Sequence, residues 1–302
     1  MKILLATDLS LEAESAARWA LDLRERILSS ERPASLSALY VAPPEYYAIH
    51  AGERLSENPD INARQTHQLR DWLRTLDPHT DDIDILLEEG KPAAVITDYC
   101  TKHHVDWLVL GTNGAGSISR ALLGSTAMKL AHRAPCKTVL VQPEHDTLSA
   151  TPRLSVAVDF LPGSQAALFS GAHLAHLTGA QLDLVHILHD TPTPTLNTGL
   201  VNYLSPQDIA QLTERTREGL IELGVQVKTL YPELTFASHV YTGPTVATLT
   251  HHCETQPVDL LILGKKSRSA LKDRALGSIA SAMARKHPTS LMLVPPEEHL
   301  DT

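Results

Sequence analysis

One pattern is written twice in this chain. "LVLGTNGAGSISRALLGSTAMKLA" (Leu108–Ala131) spaces glycines as Gly111, Gly114 and Gly124, the last followed by Ser125. "LILGKKSRSALKDRALGSIASAMA" (Leu261–Ala284) repeats the layout at a constant offset, 111 to 264 and 124 to 277. "DWLVLG" (Asp106–Gly111) matches "DLLILG" (Asp259–Gly264), "APCKTVLV" (Ala134–Val141) matches "HPTSLMLV" (His287–Val294), and Gly90 matches Gly243, all at that same offset. The first apolar runs, "ILLATD" and "SVAVD", align two residues closer, so indels lie between. Self-similarity over half a chain means two copies of one supersecondary unit, and 302 residues have room for two domains. The expected boundaries are 1–143 and 153–302. The joining segment, 144–152, lies in the polar, proline-flanked "PEHDTLSATP" (Pro143–Pro152).

Within each copy, short continuous apolar runs alternate with longer segments of helical period. That is the pattern of βαβ units around a parallel sheet buried on both faces. The expected strands are Ile3–Ala6, Leu36–Val41, Ile83–Leu87, Trp107–Leu110 and Thr138–Val141, then Leu154–Val158, Gln181–Ile187, Thr235–Tyr241, Leu260–Leu263 and Ser290–Val294. "LEAESAARWALDLRERIL" sets Ala16, Ala20, Leu23 and Ile27 on one helix face, with Ser10 placed to cap it. The fold class is therefore α/β: two tandem doubly wound domains, each a five-stranded parallel sheet flanked by helices.

In such sheets ligands bind beyond the carboxyl ends of the strands, where helices begin and aim unpaired N–H groups outward. Gly111 ends the fourth strand, and Gly124-Ser125 opens the helix "STAMKLAHRA". Glycine permits positive φ and close backbone approach, while Ser125 can cap the helix or donate to an oxygen. The constellation suits a di- or triphosphate, yet it is neither G-x-x-x-x-G-K-[ST] nor G-x-G-x-x-G.

G-x-x-G, nine residues, then G-[ST] resembles the nucleotide-binding signature of the universal stress proteins, and Gly111, Gly114, Gly124 and Ser125 match it without a gap. "ATDLS" resembles that family's first strand ending in aspartate, and "APCKTVLVQP" its last strand, so the whole chain resembles a tandem member with an adenine nucleotide alpha hydrolase-like fold. The resemblance implies ATP as cofactor, with Mg or Mn beside the phosphates and no side-chain ligand for the metal. It places Asp8 by the ribose, the backbone of Val41 at adenine, and Gly111, Gly114, Gly124 and Ser125 around ribose and phosphates. A carboxylate at a strand end can indeed accept ribose hydroxyls; the alternative role for Asp8 is a helix cap.

The second copy offers Asp159, Ile187, Gly264, Gly277 and Ser278 at the matching positions, but Ser267 stands where the second glycine belongs. A side chain there either crowds a phosphate or supplies a hydroxyl. Lys265, Lys266 and Arg268 are placed to add charge-assisted contacts to an anion, or to form a solvated loop. The second site is thereby open to being empty, altered or nucleotide-selective, so nucleotide binding is assigned mainly to the first domain.

Other constellations carry less. His103-His104 and His251-His252 lie near the repeat-equivalent Cys100 and Cys253, without the compact ligand spacing of a structural zinc site; buried cysteines and polar helix faces account for them. Cys136 reads as a small core residue at the start of an interface strand. No G-x-S-x-G elbow is present, and no base or nucleophile can be named, which limits any enzyme to slow ATP hydrolysis or autophosphorylation. A net charge of -9 argues against nucleic-acid and membrane partners. Three cysteines, with no apolar run long enough to span a bilayer, suggest the cytoplasm. The long connections "APPEYYAIHAGERLSENPD" and "TPTPTLNTGLVNYLSPQD" are placed to act as lids or partner surfaces, or are mobile connections without a role. The favoured reading is a stress-response or signalling module that binds ATP; the alternatives are an interaction scaffold without nucleotide and a weak ATPase. Family members usually pair through their last strands, a pairing a tandem chain satisfies internally as a pseudo-dimer, Thr138–Val141 beside Leu291–Val294, with a homodimer contact still open.

Overall fold

The computed structural model describes residues 1–44, 58–113, 123–189, 205–265 and 276–296, with the backbone of 193–194 and 201–202. The first half runs β1 (Lys2–Thr7), α1 (Leu11–Ser29), β2 (Ser35–Ala42), α2 (Pro59–Leu76), β3 (Asp84–Glu89), α3 (Pro92–His103), β4 (Trp107–Gly111), α4 (Ser125–Arg133) and β5 (Lys137–Val141). The second runs β6 (Arg153–Ala157), α5 (Pro162–Thr178), β7 (Gln181–Leu188), the two-residue strands β8 (Thr193–Pro194) and β9 (Val201–Asn202), α6 (Pro206–Leu230), β10 (Phe236–Thr242), α7 (Thr245–Thr255), β11 (Leu260–Gly264), α8 (Ser278–Lys286) and β12 (Ser290–Val294).

Alternation along each strand decides the layering. Ile3 and Leu5 point to one apolar cluster, Leu4 and Ala6 to another, so the sheet is covered on both faces. One cluster takes side chains from α1, α2, α5 and α6, including Ala16, Ala20, Leu23 and Ile27 of the expected α1 face; the other takes them from α3, α4, α7 and α8. Both clusters contain residues of both halves.

The strands form one ten-stranded sheet in the order β10-β7-β6-β11-β12-β5-β4-β1-β2-β3. Every neighbouring pair is parallel except β12 and β5, which pair antiparallel with Leu291 opposite Leu140, Met292 opposite Val139 and Leu293 opposite Thr138. The expected internal pairing of the last strands is thus present. The crossing is reinforced where the Gln142 N–H donates to Ser290 Oγ at 3.0 Å.

The joining segment is packed against both halves. Leu148 is buried, its N–H donates to Asp22 Oδ2 at 3.1 Å, and its carbonyl accepts from Arg26 at 3.0 Å. Ser149 N–H donates to Asp259 Oδ1 at 2.9 Å. No helix among the described residues is long and apolar enough to cross a membrane.

Candidate functional site

The carboxyl ends of β1 and β4 meet at the start of two helices. After β1 the chain turns through Asp8, Leu9 and Ser10. Ser10 Oγ accepts from the Ala13 N–H at 3.2 Å and caps α1 as expected. It donates in turn to Asp8 Oδ1 at 2.6 Å, and the same oxygen accepts the Ser10 N–H at 3.1 Å. Asp8 therefore stands exposed at the strand end, with one oxygen organising the turn. Leu9 holds φ 63°, a left-handed conformation unusual for a bulky residue, and its repeat equivalent Phe160 holds φ 59°. No pattern in the sequence announced this strained pair.

Gly111 closes β4 against that turn. A Cβ on Gly111 would lie 3.0 Å from the Glu12 carbonyl oxygen in the first turn of α1, so glycine allows two backbones to touch. Positive φ, the other use open to these glycines, is not recorded at Gly111 or Gly124; it occurs at the repeat-equivalent Gly90 and Gly243, φ 131° and 141°, which follow β3 and β10. From Gly111 the chain enters the sheet's floor: Thr112 N–H donates to Val141 O at 3.3 Å, and the Thr112 carbonyl accepts the Gly124 N–H at 2.8 Å. This last bond brings the start of α4 back beside the end of β4.

Gly124 is the N-cap of α4, with φ -59° and no side-chain capping bond. Ser125 is the first helical residue, not the cap that was one of its two open roles. The first-turn N–H groups of α4 consequently have no acceptor within the helix or from a cap side chain, which is the arrangement that binds anions. Thr112 Oγ1 is buried without a hydrogen-bond partner among the described residues, and the sequence motif had left this hydroxyl unnoticed. Val41 lies one residue past the last β1–β2 pair, Thr7 with Tyr40, and pairs on its other side with Glu88. A donor-rich helix start, a carboxylate and a strand-end backbone together can hold a ligand carrying an anionic group and vicinal hydroxyls. Gly114 lies outside the described residues, as does most of the long connection after β2.

The second half repeats the frame with changes. Asp159 Oδ1 accepts the Leu161 N–H at 3.0 Å, and Ile187 pairs with Tyr241. Gly277 caps α8, again without a side-chain bond, and Ser278 is the first helical residue. A Cβ on Gly264 would fall 2.0 Å from the Gly163 carbonyl oxygen, so β11 and the first turn of α5 pack even closer than their counterparts. Lys265, read from the sequence either as an anion contact or as part of a solvated loop, is buried, and its Nζ donates to the Ala134 carbonyl of the first half at 3.0 Å. Burial rules out the solvated alternative for Lys265, and a desolvated ammonium needs an acceptor such as that carbonyl. Ser267, Lys266 and Arg268 lie outside the described residues, as does most of the connection after β7.

The histidines also sort differently from expectation. Among the described residues no group of three His, Cys, Asp or Glu side chains is arranged to hold a metal. His251 is on an exposed helix face, but His252 is buried, between Ser155 Oγ at 3.0 Å and Tyr241 OH at 3.1 Å. Next to it Asp183 is fully buried, 3.6 Å from Arg153 Nε and 3.7 Å from His239 Nε2. Burial works to raise the Asp183 pKa, but His239, the Gln181 amide and the charge of Arg153 hold it below the usual carboxylate range.

Residues 1–142 and 151–295 each match the profile described as the universal stress protein family. A universal stress protein of Mycolicibacterium smegmatis is 26% identical over 300 residues, covering 97% of this chain and 97% of its own. The crystal structure of a universal stress protein from Archaeoglobus fulgidus superposes with a TM-score of 0.67 at 16% identity over 98% of each chain. A putative universal stress protein structure from Pseudomonas aeruginosa does so with a TM-score of 0.60 at 15% identity, over 98% of this chain and 93% of that one. At these identities the two structures speak for the fold.

Proposed function

The chain belongs to the universal stress protein family, matched in both halves, and on that premise we propose that its first domain binds ATP, with Mg or Mn beside the phosphates, as a cytoplasmic stress-response module. One observation carries the reading: α4 starts at Gly124 with no side-chain cap, and the Gly124 N–H bond to Thr112 seats that start against the end of β4. A triphosphate accepts from the first-turn N–H groups there, and the buried Thr112 hydroxyl, without a partner among the described residues, gains an acceptor. Asp8 takes the ribose hydroxyls through its exposed carboxylate, and Val41 offers strand-end backbone to adenine. Gly111, Gly114 and Ser125 complete the surround.

The second domain, with Asp159, Ile187, Gly264, Ser267, Gly277 and Ser278, is the weaker site in this reading. Its floor is tighter at Gly264, and the lysine that follows is committed to Ala134. The domains are taken as 1–143 and 153–302.

Calorimetric titration with Mg-ATP, beside a Gly124→Leu variant of unchanged circular dichroism, tests the proposal. The expected result is about one site per chain, lost in the variant because leucine covers the α4 N-terminus. Two sites with one surviving would make the second domain competent as well. No heat from folded, nucleotide-free protein would overturn the reading and favour the scaffold.

A further inference from the structure

α6 covers the outer strands β10 and β7 and buries Thr216, Leu220, Gly224 and Val227. Gly224 sets its seat: a Cβ there would lie 2.2 Å from the Phe236 ring of β10, so the helix rests directly on that ring. With that face inward, Glu218, Ile221, Val225 and Lys228 run along the outer one, and all four are exposed. Ile221 is 42% and Val225 53% exposed. Single apolar side chains in water need no explanation. Here two stand four residues apart on one side of the helix, with a carboxylate three residues before them and an ammonium three residues after.

The duplicated half supplies an internal comparison. Matched through the buried positions, Leu69 with Leu220 and Leu73 with Gly224, α2 carries Arg70 and Arg74 where α6 carries Ile221 and Val225. Arg74 pairs with Asp81 at 2.8 Å, and Arg70 donates to the Asp81 carbonyl at 3.3 Å. The outer face of α2 is thus one of satisfied charges, and the same fold position on α6 is apolar. Its flanking charges are also unspent: Arg217 takes Glu214 at 2.6 Å, but Glu218 and Lys228 have no ion pair among the described residues.

We propose that this face of α6 is the contact surface for a second copy of the chain, the two helices packing antiparallel about a two-fold axis level with Leu223. The spacing of Glu218, Ile221, Val225 and Lys228 is three, four, three, the a, d, a, d seam of a coiled coil. In an antiparallel pair each a position meets a d position. Ile221 then meets Val225 of the second copy, and one layer further out, on both sides, Glu218 meets Lys228. A two-fold contact requires a surface complementary to itself, and this stripe is so only when reversed. A parallel pair sets Glu218 against Glu218 and Lys228 against Lys228, so charge selects the antiparallel register.

The contact lies at the β10 edge of the sheet, whereas the first-half candidate site lies at β1 and β4, toward the other edge. Pairing therefore leaves that site open, and the proposal stands or falls independently of nucleotide binding.

Sedimentation equilibrium of the folded full chain from about 1 to about 500 µM tests it. Four layers make a small interface, so the expected dissociation constant is about 10–100 µM, with the mean mass rising from one chain toward two across the series. Ile221→Arg and Val225→Arg, which copy the arginines of α2, should each hold the mass at one chain with unchanged circular dichroism. Glu218→Lys alone and Lys228→Glu alone should each raise the dissociation constant about tenfold, because attraction turns to repulsion in two symmetric layers. The double variant exchanges the charges across the same layers and should restore the wild-type value. A wild-type chain that keeps the mass of one copy at about 500 µM overturns the proposal, and this readout needs no variant to fold. A dimer unaffected by Val225→Arg overturns it by placing the contact elsewhere, and a double variant as weak as the single ones overturns the antiparallel register.

Discussion

His252 is a residue whose environment decides its charge. Burial, and then neighbouring His239, push its pKa from 6.5 down to about 4, and its two ring nitrogens meet neutral hydroxyls of Ser155 and Tyr241. Below pH 6.5 the unfolded chain takes up a proton there that the folded chain refuses, so the stability from this residue is complete above that pH. It is lost as pH falls toward 4, in total about 3 kcal/mol, and about 2 kcal/mol of it by pH 5. Asp183, also held low, adds an acid loss of the same sign at lower pH. Denaturant unfolding at pH 7.5 and pH 5.0 should therefore show a drop in the wild type that is smaller by about 2 kcal/mol in His252→Leu, whatever the variant's absolute stability. An equal drop in both would show that His252 already titrates normally in the fold. The sequence did not reveal this cluster, because Ser155, Asp183, His239, Tyr241 and His252 come from three strands and a helix. Each alone looks like an ordinary polar position.

Helix ends show how an element can be correct and still improvable. α3, α5 and α8 all stop on a left-handed residue, and only α5 uses glycine for it, Gly179 at φ 67°. His104 ends α3 at φ 49° and is exposed. His287 ends α8 at φ 33° but is buried and hydrogen-bonded through Nδ1 to Gln142 Nε2 at 3.0 Å. His104→Gly should raise stability by about 1 kcal/mol, since the Cβ clash disappears and no side-chain hydrogen bond among the described residues is lost, whereas His287→Gly should lower it by removing a buried imidazole and its bond to Gln142. Thermal melts of the two variants read this directly, and a destabilised His104→Gly would contradict the geometry. At this scale the strands were largely legible: continuous apolar runs bounded by Gly, Pro and Asp gave each strand to within about a residue or two, because a sheet buried on both faces admits few polar positions. The glycines of the motif were legible as positions but not as reasons. Whether glycine serves φ or close approach depends on which backbone lies opposite, and that backbone is far away in sequence, at Glu12 of α1 for Gly111 and at Gly163 of α5 for Gly264.

The whole molecule is one sheet built from two copies, and the repeat made that architecture legible before any coordinates. The β5–β12 pairing was expected from the resemblance to universal stress proteins, whose last strands usually pair, and the duplication let one chain satisfy it internally. What the repeat hid is everything that breaks it: Lys265 reaching Ala134, and Leu148 packed by Asp22 and Arg26. These contacts also bear on what holds the halves together. The antiparallel seam joins the central strands, and apolar clusters run across it on both faces. The covalent link therefore adds effective concentration to an interface that already resembles a domain core. A protease site inserted between the exposed Ala150 and Thr151 should accordingly leave the cut halves co-eluting as one particle in size-exclusion chromatography at micromolar concentration. Separation into two smaller particles under native conditions would mean that the seam depends on the chain's continuity. Co-elution that survives cutting but fails with Met292→Asp, at the centre of the seam opposite Val139, would locate the cohesion in the β5–β12 pairing itself.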